Sequence, residues 1–332
     1  MKIAPRLRPM SIGDMFDAAF RLYRQHFLTF VGVVALLQLP MAIVQFLLQY
    51  VVGRQATLEV LRFSQRSTIF SPGSPPTLSA FPFNAFLTFY AITIGLAVFQ
   101  ALIVQSLLTG ALANAIARSY LGQPVSILGS YQLGLRRYAA LVASSLLLFL
   151  LGATTIGLFA GCSAAGIVAL GSTLSGPRAS VAAGVLGLLA VLAMIVLLIP
   201  VVLFFFIRFI LTTQAIVLEG RGPLAGLGRS WRLIGTSFWR ALLVFVLVLV
   251  LSYIISLIPS LLVTFGLGLF GGGAAAQLRN QAIASFVSQL GLILGLPLLF
   301  SIYTLLYYDL RVRKEGYDLE LMAESAELGT EH

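Results

Sequence analysis

Six long runs of apolar residues alternate with shorter polar segments along the chain. They cover about residues 27–50, 85–117, 139–170, 182–211, 239–263 and 284–308. Each run exceeds the roughly 20 apolar residues with which an α-helix crosses the hydrocarbon core of a bilayer. The pattern predicts an all-α integral membrane protein with six transmembrane helices.

A short aromatic and basic segment comes before the first, third and fifth apolar runs. Each copy has an aromatic residue, Leu two positions later and a second aromatic seven positions later: Phe20, Leu22 and Phe27; Tyr131, Leu133 and Tyr138; Trp231, Leu233 and Phe238. The arginines near these motifs are Arg21, Arg24, Arg136, Arg137, Arg232 and Arg240. Residues seven apart lie on one helical face, so each copy predicts an amphipathic helix at the cytoplasmic membrane surface. The six arginines, together with Phe20, Tyr131 and Trp231, are candidate contacts for anionic lipid.

The chain divides into three similar units, at about residues 9–122, 124–220 and 223–316. Each unit opens near a proline and closes on a glycine: Pro9 and Gly122, Pro124 and Gly220, Pro223 and Gly316. Similarity at a roughly fixed period indicates repeated units, so we expect three pseudo-repeated hairpins within one membrane domain, residues 1–316. Gly134 weakens the apolar stripe of the second copy. Segment 51–82, rich in Pro, Ser and Thr, predicts a flexible outer loop, and residues 317–332 predict an acidic cytoplasmic tail.

The basic residues are distributed unevenly between the two sides that this topology defines. Of 332 residues only 10% are charged, and the formal net charge is +10. Sixteen of the 21 Lys and Arg residues fall on the side that carries both termini. The positive-inside rule therefore predicts cytoplasmic termini in a bacterial cytoplasmic (inner) membrane. It also accounts for the positive charge without nucleic acid as a partner.

Uncharged polar residues cluster in the first predicted hairpin. Gln38, Gln45, Gln100, Gln105 and Asn114 fall within its two apolar runs. They predict either hydrogen bonds between the helices or a polar groove for lipid headgroups or a solute. The pairs Gly157 with Gly161 and Gly291 with Gly295 have the spacing of close helix contacts.

The residue types that most catalytic and cofactor sites require are scarce in the predicted spans. All 11 acidic residues lie outside them, and the chain has one Cys and two His. These numbers predict no transition-metal site, and no Gly-rich loop of the nucleotide-binding type occurs. We therefore expect a protein without enzymatic activity and without a cofactor, and no carrier driven by protonation of a buried carboxylate.

The opening segment, LRPMSIGDMFDAAFRLYRQHFLTFVGVVALLQLP, resembles a group of bacterial membrane proteins. It is similar to the membrane domain fused to some glycerophosphoryl diester phosphodiesterases. The residues that carry this similarity are Arg8, Pro9, Ser11, Ile12, Gly13, Phe16, Asp17, Phe20, Arg21, Leu22, Tyr23 and Phe27. The segments RSWRLIGTSFWRAL and YYDLRVRKEGYDLE also look like that group. In the fused relatives catalysis belongs to a separate soluble barrel, so the resemblance implies a membrane fold and a compartment and no reaction.

These observations predict a non-enzymatic scaffold or accessory protein. Its expected partners are the lipids of an anionic leaflet or another membrane protein. The alternative is a transporter of a small molecule or lipid that works without buried carboxylates. That alternative requires a polar cavity between the hairpins.

Overall fold

A computed structural model describes residues 9–66, 83–173, 177–268 and 273–316 of the chain. These residues form helices and turns, and no β-strand occurs among them. The all-α prediction is confirmed. The acidic segment 317–332 and the proline-rich segment 67–82 lie outside the described residues, so the tail remains a prediction.

Helices follow one another with short connections through this part of the chain. They are α1 (Ile12–Gln25), α2 (Phe27–Leu48), α3 (Arg54–Arg66), α4 (Phe83–Phe99), α5 (Gln105–Tyr120), α6 (Ile127–Arg136), α7 (Tyr138–Thr173), α8 (Pro177–Phe209), α9 (Thr212–Leu218), α10 (Pro223–Ile234), α11 (Phe238–Gly268) and α12 (Gly273–Glu315). A π-helix, Gln49–Gly53, connects α2 to α3, and a second one, Gln100–Val104, connects α4 to α5.

Six helical stretches are long and apolar enough to cross a membrane. Their bounds are Phe27–Glu59, Phe83–Tyr120, Tyr138–Gly166, Val185–Leu218, Pro223–Leu267 and Arg279–Glu315. Each overlaps one of the apolar runs in the sequence, so the chain has the helices of a multi-pass membrane protein. The first stretch extends into segment 51–82, where a flexible loop was expected. Residues 54–66 contain good helix formers such as Gln, Ala, Leu and Glu, and the prolines begin only at Pro72.

The short basic segments form α1, α6 and α10, and each is followed at once by a long helix. The second aromatic of each motif is the first residue of that helix: Phe27 in α2, Tyr138 in α7 and Phe238 in α11. A capping box between Ser11 and Asp14 fixes the start of α1, because each side chain accepts a hydrogen bond from the other's backbone N–H.

A glycine follows each of the three helices that return to this end. Gly122, Gly220 and Gly316 have φ angles of 72°, 68° and 64° and come after α5, α9 and α12. Residues with a Cβ avoid this left-handed region, which explains why the sequence has glycine at each of these helix ends.

Contacts between distant residues place α1, α6 and α10 at one end of the helix bundle. The Met10 N–H donates to the Asp309 carboxylate of α12 over 2.8 Å. His26 shares a 2.9 Å hydrogen bond with Ser119 near the end of α5. The Arg137 guanidinium lies against Gly220, so close that a Cβ there would come within 2.7 Å of it. We call this end, formed by α1, α6, α10 and the last turns of α5, α9 and α12, the basic end.

Close helix contacts occur at two of the glycine sites discussed above. A Cβ on Gly291 would lie 3.0 Å from the Ile255 carbonyl oxygen, and one on Gly295 would lie 2.8 Å from Ile255 Cγ2. Gly134 likewise faces the backbone of Ala111, where a Cβ would lie 3.1 Å from the Ala111 nitrogen. At Gly157, by contrast, nothing among the described residues lies within 4 Å of a Cβ. The same is true of Gly161.

Candidate functional site

Five of the six predicted lipid-contacting arginines are exposed at the basic end. Arg21 and Arg24 lie on α1, Arg136 and Arg137 at the α6–α7 junction, and Arg232 on α10. None of the five forms an ion pair with another described residue. No carboxylate of a described residue is therefore within 4.0 Å of their guanidinium nitrogens, and Asp17 is the acid that lines the same hollow as Arg21 and Arg24.

Arg240, the sixth arginine, has a different environment. Its guanidinium lies 3.0 Å from the Asp309 carboxylate, whose side chain is fully buried, and it donates to the Met10 carbonyl oxygen over 2.6 Å. Arg313 donates to the same carboxylate over 3.0 Å and to the same carbonyl oxygen over 2.8 Å. Arg240 thus helps to join α1, α11 and α12, which differs from the lipid contact that the sequence suggested.

A second ionic cluster surrounds Glu219, which follows α9. Its carboxylate accepts hydrogen bonds from Arg221 over 2.5 Å, from Arg229 over 2.8 Å and from the Tyr307 hydroxyl. Arg229 also pairs with Glu315 at the end of α12. Burial of the Glu219 carboxyl raises its pKa, but the hydrogen bonds from Tyr307 and the two arginines outweigh burial and the net pKa is lowered. Glu219 is therefore ionised at neutral pH and connects α9, α10 and α12.

The three motif aromatics do not share one environment. Phe20 is 42% exposed and lines a shallow hollow with Arg21 and Arg24 on the outer face of α1. Trp231 is 36% exposed and packs on α8, with the Arg208 guanidinium 4.7 Å above its ring. Tyr131 is only 7% exposed and donates to the Val33 carbonyl oxygen over 2.5 Å, and burial raises the pKa of its hydroxyl to about 12. Tyr131 therefore joins α6 to α2 and does not face the surface.

Four glutamines of the predicted polar groove lie together and form a directional chain of hydrogen bonds. Gln45 donates to Gln100, Gln100 to Gln38 over 3.2 Å, and Gln38 to Gln105 over 3.3 Å. Gln289 of α12, which the sequence analysis did not include, donates to Gln45 over 2.5 Å. Each side-chain oxygen from Gln45 to Gln105 accepts from the preceding amide, and the Gln105 nitrogen is the unused end of the chain.

The π-helix between α4 and α5 explains how Gln100 and Gln105 come to lie on one side. Residues five apart in a regular α-helix point in different directions. Here the Gln105 N–H donates to the Gln100 carbonyl oxygen, the i to i+5 bond of a π-turn, which brings the two side chains onto the same face. Apolar periodicity does not reveal such a turn. Asn114 lies apart from the chain, buried, and donates to the Ser130 carbonyl oxygen over 3.3 Å.

A cleft begins where the glutamine chain ends. It has a volume of about 420 Å³ and is bordered by α5, α7, α8, α9 and α12. Its polar residues are Gln105, Ser106, Thr109, Ser145, Thr155, Thr213 and Tyr303. Its apolar residues are Leu148, Leu151, Val202, Phe205, Phe206, Phe209, Ile210 and Phe300, and Gly152 also lines it. The cleft therefore lies between helices of all three predicted hairpins and combines uncharged polar groups with an apolar wall.

Asp309 and Glu219 are the residues of the basic end that the sequence analysis passed over. For Asp309 the sequence contains an indication of this role, because Asp309 and Arg313 are four residues apart in a segment that is rich in arginine. In the described part of the chain, no group of three or more His, Cys, Asp and Glu residues is placed to hold a metal ion.

Comparison with other proteins adds no relative from which a site could be transferred. No protein-family model matches the chain, and neither a curated protein nor a solved structure matches it. The residues and contacts described above are therefore the basis for any functional conclusion.

Proposed function

We propose that this chain is a non-enzymatic accessory protein of a bacterial cytoplasmic membrane, and that its basic end engages the anionic lipids of the cytoplasmic leaflet. One observation carries the proposal. Arg21, Arg24, Arg136, Arg137 and Arg232 are exposed together at one end of the bundle and have no carboxylate partner among the described residues. Basic residues near an anionic membrane surface contribute about 1 kcal/mol each, so five of them give a substantial preference for anionic lipid.

The proposal includes three pseudo-repeated hairpins, each preceded by a cytoplasmic interfacial helix. Supporting it are the aromatic residues that begin α2, α7 and α11, and the left-handed glycines that follow α5, α9 and α12. In this arrangement both termini are cytoplasmic. The relation to the membrane domain of some glycerophosphoryl diester phosphodiesterases belongs to the same proposal and is supported by the sequence segments quoted above.

The experiment compares two sets of arginines at opposite ends of the protein. The full chain is reconstituted in nanodiscs that contain phosphatidylglycerol and phosphatidylcholine, and retained lipids are counted by native mass spectrometry. Replacing Arg21, Arg24, Arg136, Arg137 and Arg232 by Gln should lower the retained ratio of phosphatidylglycerol to phosphatidylcholine several-fold. The control replaces the exposed residues Arg54, Arg62 and Arg279, at the other end, by Gln and should leave most of the preference.

Added salt supplies a second criterion. Salt screens exposed charges, because the Debye length shortens as the ionic strength rises. The preference of the unaltered protein for phosphatidylglycerol should therefore decrease when NaCl is raised from about 0.05 to about 0.5 M. A lipid ratio that is unchanged in the five-arginine variant would refute the proposal and would leave these residues with a role in topology alone.

Transport of a lipid or small molecule is the second candidate function. The cleft favours it, because a transporter whose binding site has no carboxylate requires a polar cavity between the hairpins, and no described Asp or Glu lines this one. Reconstituted protein that moves a labelled lipid between the leaflets of a vesicle faster than protein-free vesicles would support it.

A further inference from the structure

We infer that the cleft is an intramembrane binding site for a lipid whose headgroup is uncharged and carries hydroxyl or ester oxygens. The ligand class is that of a diacylglycerol or monoacylglycerol. This inference does not depend on the basic end, because none of its five exposed arginines lines the cleft.

The size and position of the cleft suit part of a lipid molecule. A volume of about 420 Å³ lies within the range of about 300–1,000 Å³ that is common for small-molecule sites. Ser145 and Thr155 are 7 and 17 residues into α7, so the cleft extends from about 10 to 25 Å along that helix. In the proposed topology α7 begins at the membrane surface, so this range lies in the acyl-chain region and includes the middle of the bilayer.

The polar lining has hydrogen-bonding capacity that the protein leaves unused. The Gln105 side-chain oxygen accepts from Gln38, which leaves its amide nitrogen with no partner among the described residues. Ser106 and Ser145 share a 2.8 Å hydrogen bond, so one of these two hydroxyl hydrogens is not used in that bond. The hydroxyls of Thr213 and Tyr303 have no hydrogen bond to a described residue and also line the cleft. Each of these groups can donate, and the hydroxyls can also accept, so in an apolar environment they favour a ligand with ester and hydroxyl oxygens.

The absence of charge in the described lining decides between kinds of headgroup. Its polar members are amides and hydroxyls, with no Lys, Arg, His, Asp or Glu among them. A phosphate at this depth would require a cationic partner, whereas ester and hydroxyl oxygens are satisfied by neutral donors. The leucines and phenylalanines of the lining provide an apolar surface for an acyl chain.

The glutamine chain gives this site a fixed donor. Every amide from Gln289 to Gln38 donates to the next one, and the last acceptor is the Gln105 oxygen. The orientation of the Gln105 amide is thus set by four side chains, two from α2, one from the π-helix before α5 and one from α12. The first hairpin and α12 thus act together to fix the amide of a residue that lines the cleft.

The test uses two glycines of one helix as a matched pair. Gly152 lines the cleft and Gly157 does not, and at both positions an added Cβ meets no described atom within 4 Å. The full chain in nanodiscs is labelled with a photoreactive diacylglycerol, and the labelled peptides are identified by mass spectrometry. We expect labelling of peptides from α7 and α8, a loss of at least 10-fold in Gly152→Phe, and wild-type labelling in Gly157→Phe.

Competition and conservative variants identify the headgroup. Unlabelled diacylglycerol should compete with the probe, and phosphatidylglycerol at the same mole fraction should not. Tyr303→Phe and Thr213→Val each remove one hydroxyl at nearly constant volume and should weaken labelling by about 3- to 10-fold, the effect of one lost hydrogen bond. Equal labelling of the Gly152→Phe and Gly157→Phe variants would refute the site. Equally effective competition by phosphatidylglycerol would refute the uncharged headgroup. Neither outcome would change the lipid ratio measured for the five-arginine variant, so the two proposals are tested separately.

Discussion

The buried carboxylate of Asp309 should be the most sensitive single position at the basic end. It has no exposed surface and is held by Arg240, Arg313 and the Met10 N–H. Substitution by Asn keeps the size and one acceptor oxygen but removes the charge that balances two guanidinium groups. The change therefore tests whether this cluster joins the start of the chain to α11 and α12.

The expected cost follows from the burial of each partner. Removing one partner of a buried ion pair costs about 3–5 kcal/mol. The Arg313 side chain is 38% exposed, so solvent screens its share, and the introduced amide oxygen would still accept from the Met10 N–H. We expect Asp309→Asn to lower the free energy of unfolding by about 2–3 kcal/mol, which is slightly below that range because of the screening and the retained hydrogen bond.

The assay is unfolding of the purified protein in mixed micelles by titration with dodecyl sulfate. The matched control is Asp17→Asn, which changes an exposed acid of α1 and should alter stability by less than about 0.5 kcal/mol. Arg240→Gln combined with Asp309→Asn should cost less than the sum of the two single changes, because both remove the same interaction. Additive effects, or an Asp309→Asn protein as stable as the control, would show that the cluster does not stabilise the fold.

Two further predictions concern the second ionic cluster and the contact between α11 and α12. The pKa of Glu219 is lower in the folded protein than its ordinary value of 4.5, so its stabilising contribution is present above that pH and is lost as the pH falls through the folded pKa. The melting temperature should therefore fall more steeply below about pH 4.5 in the unaltered protein than in Glu219→Gln, and identical profiles would contradict this. Gly295→Leu should destabilise the protein by about 1–3 kcal/mol through overlap with Ile255, whereas Gly157→Leu should have little effect; equal effects of the two changes would contradict the close contact.

Hydropathy was sufficient to predict the six long apolar helices, and the aromatic spacing predicted the short helices that precede three of them. The physical reason is that a backbone inside a bilayer must satisfy its own hydrogen bonds, so a long apolar run allows few structures besides a helix. The glycines at 122, 220 and 316 were visible as unit boundaries, and the structure adds that each has a positive φ angle.

Side-chain partners across the bundle could not be predicted in the same way. Gln289 joins the glutamine chain because α12 packs on α2, a contact between residues 244 positions apart. Gly134 was interpreted as a defect in the α6 stripe, but it permits the close approach of α6 to Ala111. Arg240 follows the same motif as the exposed arginines, and only its position beside Asp309 distinguishes it. In each case the outcome depends on which helices are neighbours, which a local pattern does not contain.

The orientation of the basic end is the central claim, and cysteine accessibility in intact cells tests it most directly. The single Cys162 is first replaced by Ala, and one cysteine is then introduced in place of Arg62 at the end opposite the basic end or of exposed Leu128 at the basic end. A membrane-impermeant maleimide should label the cysteine at position 62 in intact cells and the cysteine at position 128 only after lysis. Labelling of position 128 in intact cells, with protection of position 62, would place the exposed arginines outside and contradict the account.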